Sequence, residues 1–285
     1  MSVGSVTISI DLELAWGNWD NLEQRHIDHV DALERPIVKR LVETFDRHSL
    51  PVTWAFVAAL LDRDSARERP GSERLWYAPD VIDTIRSART AHDLGSHGGR
   101  HRYFTAMSEA AADEDLDFAR GIHAANGLKF ESFVFPRNQV ARTALLERHG
   151  LRVFRGTDRA WHQRVRNANE LAGRAANLVD KLLPIAPEPV HPERGGALVN
   201  LPGSMLLFGR DGIRRLAPPS VMPTKLKRGM ARAAAGGGVF HLWFHPSNFW
   251  HDSERQFATL EAFAARCAER AGRGEITLRT MADFG

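Results

Sequence analysis

The chain has a single cysteine, Cys267, among 285 residues. It cannot form an intrachain disulfide, and this fits a reducing compartment. Long apolar runs are also missing, since no stretch approaches the ~18 uninterrupted apolar residues of a membrane span. The first residues, MSVGSVTISIDLELAWG, contain neither a basic n-region nor an apolar h-region. The expectation is a soluble, cytoplasmic protein. Charge of one sign is not in large excess: 38 Lys and Arg stand against 35 Asp and Glu, a net charge of +3. That is too little to mark a nucleic-acid binder. Internal repeats and low-complexity tracts are absent. The 43% hydrophobic and 26% charged content is that of an ordinary globular chain. At this length about three-quarters of the unfolded surface can be buried, so the core needs no staples.

What the sequence does contain is an alternation of strand and helix patterns. In SVTISIDLEL, Val6, Ile8, Ile10, Leu12 and Leu14 fall on one face, and Thr7, Ser9, Asp11 and Glu13 on the other. Val30, Leu33, Ile37, Leu41 and Phe45 predict a helix over 30–48. Further strands are expected at 51–57, at HDLGSH, at 132–136, at LRVFRG, at 238–246 and at EITLRT. Helices are expected from Pro79 to about 90, over 108–126, over 140–149 and from Ser253 to Gly272, the last opened by a Ser253–Gln256 capping box. This order predicts a parallel α/β fold, and the number of units favours a barrel over an open sheet. Residues 160–235 break the rhythm with a helix over about 163–183, the Pro-rich PIAPEPVHPE and a basic stretch. They read as an insertion within one domain covering 1–285.

In parallel α/β proteins the side chains that do chemistry gather at the C-terminal ends of strands. Asp11 and Glu13 end the first strand on its polar face. Unpaired buried carboxylates cost on the order of several kcal/mol, so such a pair calls for a metal or another cation. His97 and His101 flank Gly98, Gly99 and Arg100, and a His-x-x-x-His pair is a candidate for metal ligation. On the late strand His241, Trp243 and His245 share a face. His245 ends the strand and is placed to reach a site, whereas the deeper His241 reads as a hydrogen-bonded interior residue. Two histidines and one carboxylate leave a divalent ion an open position, from which it activates water and polarises a carbonyl. Asp11 could then take a proton from the water, and a protonated His245 could donate to a leaving amine. Trp16 and Trp19 would either stack on a sugar ring or cover the barrel mouth. Between 205 and 235, Arg210, Arg214, Arg215, Lys225, Lys227, Arg228 and Arg232 stand against Asp211 alone. Such a cluster is either a solvated face or a holder for a diphosphate or an anionic membrane surface. Cys267 shares a helical face with Phe257, Leu260, Phe263 and Ala264 and reads as core.

Asp11-Leu12-Glu13, SHGGRH, FVFPRN and HLWFHP, in that order, resemble the polysaccharide deacetylases with a NodB-type catalytic domain. The resemblance runs from residue 6 to about 250. It implies a distorted parallel (β/α) barrel, hydrolysis of N-acetyl or O-acetyl groups on sugars, and one divalent metal ion, usually zinc. By this resemblance His97 and His101 are metal ligands, Asp11 is the general base and His245 the general acid. The usual first motif has two adjacent aspartates, the second of which binds metal. Here Leu12 holds that place and points to the apolar face, so the ligand role passes to Glu13. Where the family carries an arginine two residues before the motif proline, this chain has Val134, and Arg137 is the substitute candidate for orienting Asp11 or binding substrate. Asp158, near Trp161 in GTDRAWH, resembles the aspartate that steadies the acid histidine. Asn138, Trp161 and Trp16 are the candidates for substrate contact. The resemblance implies a metal-dependent deacetylase of an N-acetylated sugar, as a glycan or a nucleotide- or lipid-linked precursor, with no nucleic-acid partner. Hydrolysis of another carbon–nitrogen bond, such as a cyclic amide, is the enzymatic alternative, and a non-catalytic sugar-binding barrel is the other.

Overall fold

The computed structural model describes residues 3–161, 165 and 169–285. At its centre is β1 (Gly4–Leu12), buried along its whole length. It pairs in parallel with β2 (Thr53–Phe56), β9 (Val239–Phe244) and β10 (Ile276–Leu278). The remaining strands are β3 (Asp93–Ser96), β4 (Ser132–Val134), β5 (Val153–Arg155), β6 (Glu193–Gly195), β7 (Leu198–Asn200) and β8 (Met205–Leu206). The sheet runs β6-β7-β5-β4-β3-β2-β1-β9-β8 with β10 beside β1, and all pairs are parallel except β6 with β7. Except between β6, β7 and β8, helices connect successive strands: α1 (Gln24–His29), α2 (Arg35–Arg47), α3 (Arg63–Arg67), α4 (Pro79–Arg86), α5 (Glu109–Ala125), α6 (Thr143–Arg148), α7 (Glu170–Leu182), α8 (Val221–Gly236) and α9 (Ser253–Gly272). This is the distorted (β/α) barrel that the sequence predicts. No helix among the described residues is long and apolar enough to cross a membrane.

The two faces of β1 explain the architecture. Val6, Ile8, Ile10 and Leu12 join Leu41, Phe45, Leu260 and Phe263 in the largest hydrophobic cluster. Burying each such side chain stabilises the fold by about 1.5–3 kcal/mol. Ser5, Thr7, Ser9 and Asp11 are also buried, and their polar groups need partners inside the barrel. The apolar face therefore anchors the sheet to its helices and leaves the polar face for the site.

Three expectations need correction. The stretch 160–235 is not wholly an insertion: β7 pairs with β5, β8 pairs with β9, and α8 packs on β1 and β9. The part standing outside the strand–helix rhythm is α7, the proline-rich run after it and a 3₁₀ turn at Gly212–Leu216. The first part of the helix expected over about 163–183 falls on residues 162–164 and 166–168, which lie outside the described residues. The helix expected over 30–48 already begins at Gln24 and passes through a π-helical turn, Val30–Glu34, before α2. The capping box of α9 does not form. Asp252 is the N-cap, and Gln256 donates instead to the Phe208 and Asn248 carbonyls at 3.0 and 3.1 Å. Gln256 is buried, and those carbonyls need donors more than a solvent-facing helix end does.

Candidate active site

β1 ends at Leu12, and the chain turns at Leu14 (φ 47°) into a 3₁₀ helix, Leu14–Asn18. Glu13 is therefore off the strand, and the alternation that placed it beside Asp11 stops one residue short. The two carboxylates still converge. His245 Nε2 lies 3.6 Å from Asp11 Oδ2 and 3.4 Å from Glu13 Oε1. Gly17 makes the turn possible, because a Cβ there would overlap Glu13 Oε2.

His97 and His101 approach the other side of Glu13, their Nε2 atoms 2.9 and 3.0 Å from Glu13 Oε1. Both rings are fully buried. The Gly-Gly pair between them is needed for close packing. Asp115, buried on α5, accepts hydrogen bonds from the Gly99 and Arg100 amides at 2.6 and 3.2 Å. A Cβ on Gly99 would overlap that carboxylate. His97 Nδ1 lies 2.8 Å from the Val134 carbonyl. A carbonyl only accepts, so Nδ1 carries the hydrogen. A neutral His97 ring then turns a bare lone pair on Nε2 toward a carboxylate oxygen, and this requires a cation between them or a second proton. Glu13, His97 and His101 offer three ligand atoms within 4.8 Å of one another, a set able to hold a metal ion.

Arg155, the last residue of β5, clamps Asp11. Its Nη1 and Nη2 donate to the two Asp11 oxygens, each at 2.6 Å, and the side chain is fully buried. Nη1 also donates to Ser9 Oγ at 3.0 Å and Nη2 to Asn138 Oδ1 at 2.9 Å. The guanidinium lies 4.3 Å over the Trp243 ring, whose Nε1 donates to Asp158 at 2.9 Å. Sequence reasoning missed Arg155. The signal available was the one used elsewhere, a polar residue at the C-terminal end of a strand.

Several assignments change accordingly. Arg137 does not orient Asp11: it donates to the Gly17 carbonyl at 2.9 Å and lies 3.6 Å from Asp20. Asn138 spends its carbonyl on Arg155. Asp158 bonds Trp243 rather than His245, and it belongs to the support of Arg155. Trp16 is fully buried and donates to the Trp76 carbonyl at 2.9 Å, so it is core and faces no ligand. Trp19 donates to the His101 carbonyl at 3.1 Å. Trp161 donates to Asp180 at 2.9 Å on the wall of a cavity of about 990 Å³ that reaches Asp158 and Trp243. His241 is interior, bonded to Ser9 Oγ at 2.9 Å and to the Pro202 carbonyl at 3.0 Å. Cys267 is buried in the core. In the basic stretch, Arg210 pairs with Asp252, Arg214 with Asp211, Lys225 with Asp180 and Arg232 with Glu188, while Arg228 donates to the Pro184 carbonyl.

The electrostatics follow from these contacts. Burial alone would raise the Asp11 carboxyl, but Arg155, His97 and His245 outweigh it and hold the group below its ordinary range. Burial is likewise outweighed at Glu13 by His101 and His245, which hold it well down. Burial opposes the His245 charge, yet Glu13 and Asp11 raise its pKa to about 9. His241, buried and near Arg155, is pushed down to about 3. Burial raises Asp158 to about 6 against the pull of Arg155. Glu34, at the end of the π-helical turn, lines a small cavity with Asp11, Glu13 and His245. Burial and the nearby Glu13 charge raise it to about 8, and its Oε2 has no hydrogen-bond partner.

No family model and no curated protein matches the sequence. Solved structures do. A protein described as a polysaccharide deacetylase from Mycobacterium smegmatis is similar at a TM-score of 0.70 and 15% identity, over 99% of this chain and 89% of that one. An allantoinase is similar at 0.58 and 14% identity, over 98% of this chain and 89% of that one. A mutant of a CE4-family pseudoenzyme with restored enzymatic activity is similar at 0.50 and 13% identity, over 99% of this chain and 67% of that one. The curled parallel sheet, with its polar residues at the strand ends, is thus the fold of the polysaccharide deacetylases.

Proposed function

We propose that this protein is a metal-dependent hydrolase that removes the acetyl group from an N-acetylated sugar. The observation that carries the reading is the convergence of Glu13, His97 and His101 on one point, beside an arginine-clamped Asp11 and a histidine poised between two carboxylates. Glu13, His97 and His101 would hold the divalent ion. Two imidazoles and a carboxylate suit zinc, which when bound supplies Lewis acidity for the acyl carbonyl and a more acidic water.

The protein side chains move the protons. Arg155 keeps Asp11 ionised and fixes its direction, so Asp11 takes a proton from the attacking water. The water oxygen bonds to the acyl carbon, the carbon–nitrogen bond breaks, and His245 gives its proton to the leaving nitrogen. Acetate and a free amino sugar result. The Glu13 and Asp11 charges that favour protonated His245 are what a general acid needs near neutral pH. A cytoplasmic setting fits the single, buried cysteine. The sugar is either a glycan or a nucleotide- or lipid-linked precursor.

The similarity to an allantoinase favours one second reading, opening of a cyclic amide by the same groups. A non-catalytic sugar-binding barrel is the contrary outcome. The test is acetate release from free, nucleotide-linked and lipid-linked N-acetyl sugars, beside ring opening of cyclic amides, with chelator and with zinc restored. Acetate release that needs the metal supports the proposal. Ring opening alone supports the second reading, and glycan binding without turnover supports the third.

A further inference from the structure

Apart from Val3, the exposed large hydrophobic side chains among the described residues are Leu171, Leu178, Val179, Leu183, Ile213 and Leu216. All six lie on α7, immediately after it, or on the 3₁₀ turn Gly212–Leu216. α7 is packed inside out. It turns Gly173, Ala176, Asn177 and Asp180, at helical spacing, toward the protein. There Asp180 holds Lys225 at 2.5 Å and Trp161 at 2.9 Å. Leu171 is 77% exposed and Val179 41%. A surface helix of a globular protein ordinarily shows the reverse, and a contiguous exposed apolar face marks an interaction site.

The helix and the turn adjoin. Lys181, at the end of α7, is lowered first by burial and then by the nearby charge of Arg214 on the turn. Cations are interleaved with the apolar side chains: Arg174, Lys181, Arg214 and the exposed Arg215. Glu170 and Asp211 pair with Arg174 and Arg214, but these are exposed pairs that hold little energy. The helix also contributes Asn177, Asp180 and Lys181 to the wall of the 990 Å³ cavity that Asp158 and Trp243 line as well.

We propose that the outward face of α7, together with the 212–216 turn, docks on an anionic lipid surface. The apolar side chains would enter the acyl boundary while the cations around them meet anionic headgroups. A second copy of this chain fits less well, because Arg174, Lys181, Arg214 and Arg215 outnumber Glu170 and Asp211, so two such faces meet with like net charge. Docking brings the cavity wall formed by α7 close to the membrane. On the deacetylase reading, and resting on it, the substrate class is an acetylated sugar on a lipid carrier.

The test is flotation of the full chain with phosphatidylcholine vesicles, with and without phosphatidylglycerol, at low and high salt. The wild type is expected to float with the anionic vesicles only, and less at high salt. Leu171→Ser combined with Leu178→Ser and Val179→Ser should abolish flotation. Arg214→Glu combined with Arg215→Glu should weaken it by at least roughly fivefold per charge. Both variants should keep the wild-type melting temperature and the wild-type acetate release from a water-soluble N-acetyl sugar. If no protein releases acetate but flotation and its loss hold, the docking surface stands and the deacetylase reading falls. Failure to float with anionic vesicles, or flotation indifferent to both variants, would overturn the proposal. So would a wild-type dimer that the triple substitution splits, which would assign the face to a second copy.

Discussion

Asp11 and Glu13 are two residues apart, yet they meet different partners. Glu13 faces both motif histidines, whereas Asp11 is held by Arg155. Asp11→Asn should therefore retain the metal and lose turnover, and Glu13→Ala should lose the metal; elemental analysis beside acetate release separates them, and the opposite pattern would reverse the two roles. Removing one partner of a buried ion pair costs about 3–5 kcal/mol, so Arg155→Met should lower stability by that order in denaturant unfolding. It should also act on the rate profile. Without the guanidinium, burial lifts the Asp11 pKa, and since the base must be ionised the acidic limb moves to higher pH. An unmoved limb would mean that Arg155 is structural only. His245→Ala should lower kcat by ~10²–10⁴-fold and remove the alkaline limb, with metal content unchanged. A variant that turns over normally would exclude His245 as the acid. At this scale Asp11, Glu13, His97, His101 and His245 were legible, because strand ends and His spacing are local signals. Arg155 shares the strand-end signal but was not picked out, because what defines its role, the pairing with Asp11, spans 144 residues.

The π-helical turn between α1 and α2 places Glu34 where no solvated carboxylate would sit. Such turns recur at functional sites. Burial, reinforced by Glu13, raises this carboxyl from 4.5 to about 8. An acid with a raised folded-state pKa keeps a proton that the unfolded chain has already lost. In the metal-free protein Glu34 should therefore make stability fall as pH rises from about 4.5 to about 8, and contribute no further change above that. Glu34→Gln should flatten this slope in urea unfolding followed across the range, and an unchanged slope would show that Glu34 titrates as in solution. Strand periodicity announced β1, β2 and β9 in the sequence. The π turn was invisible, because Val30, Leu33 and Ile37 keep the spacing of an unbroken α-helix. The missing cap of α9 was also hidden, since the interior carbonyls that claim Gln256 come from distant segments.

The order of strands and helices carried the barrel, because a parallel sheet needs a crossover after nearly every strand. Residues 160–235 were harder to read. Their barrel strands, β7 and β8, span three and two residues, too short for an alternation to register beside the proline-rich and basic sequence around them. Two cavities mark the molecule: a small one lined by Asp11, Glu13 and His245, and a larger one lined by the excursion and by Trp243. On the proposed function, Glu13, His97 and His101 hold a metal without which the acid and the base are idle. The direct test is a zinc titration of metal-free protein, followed by acetate release from an N-acetyl sugar. Activity should be absent at the start and rise to a plateau at about one ion per chain, as a three-ligand site requires. Full activity in the metal-free protein, or none at any zinc load, would contradict the account.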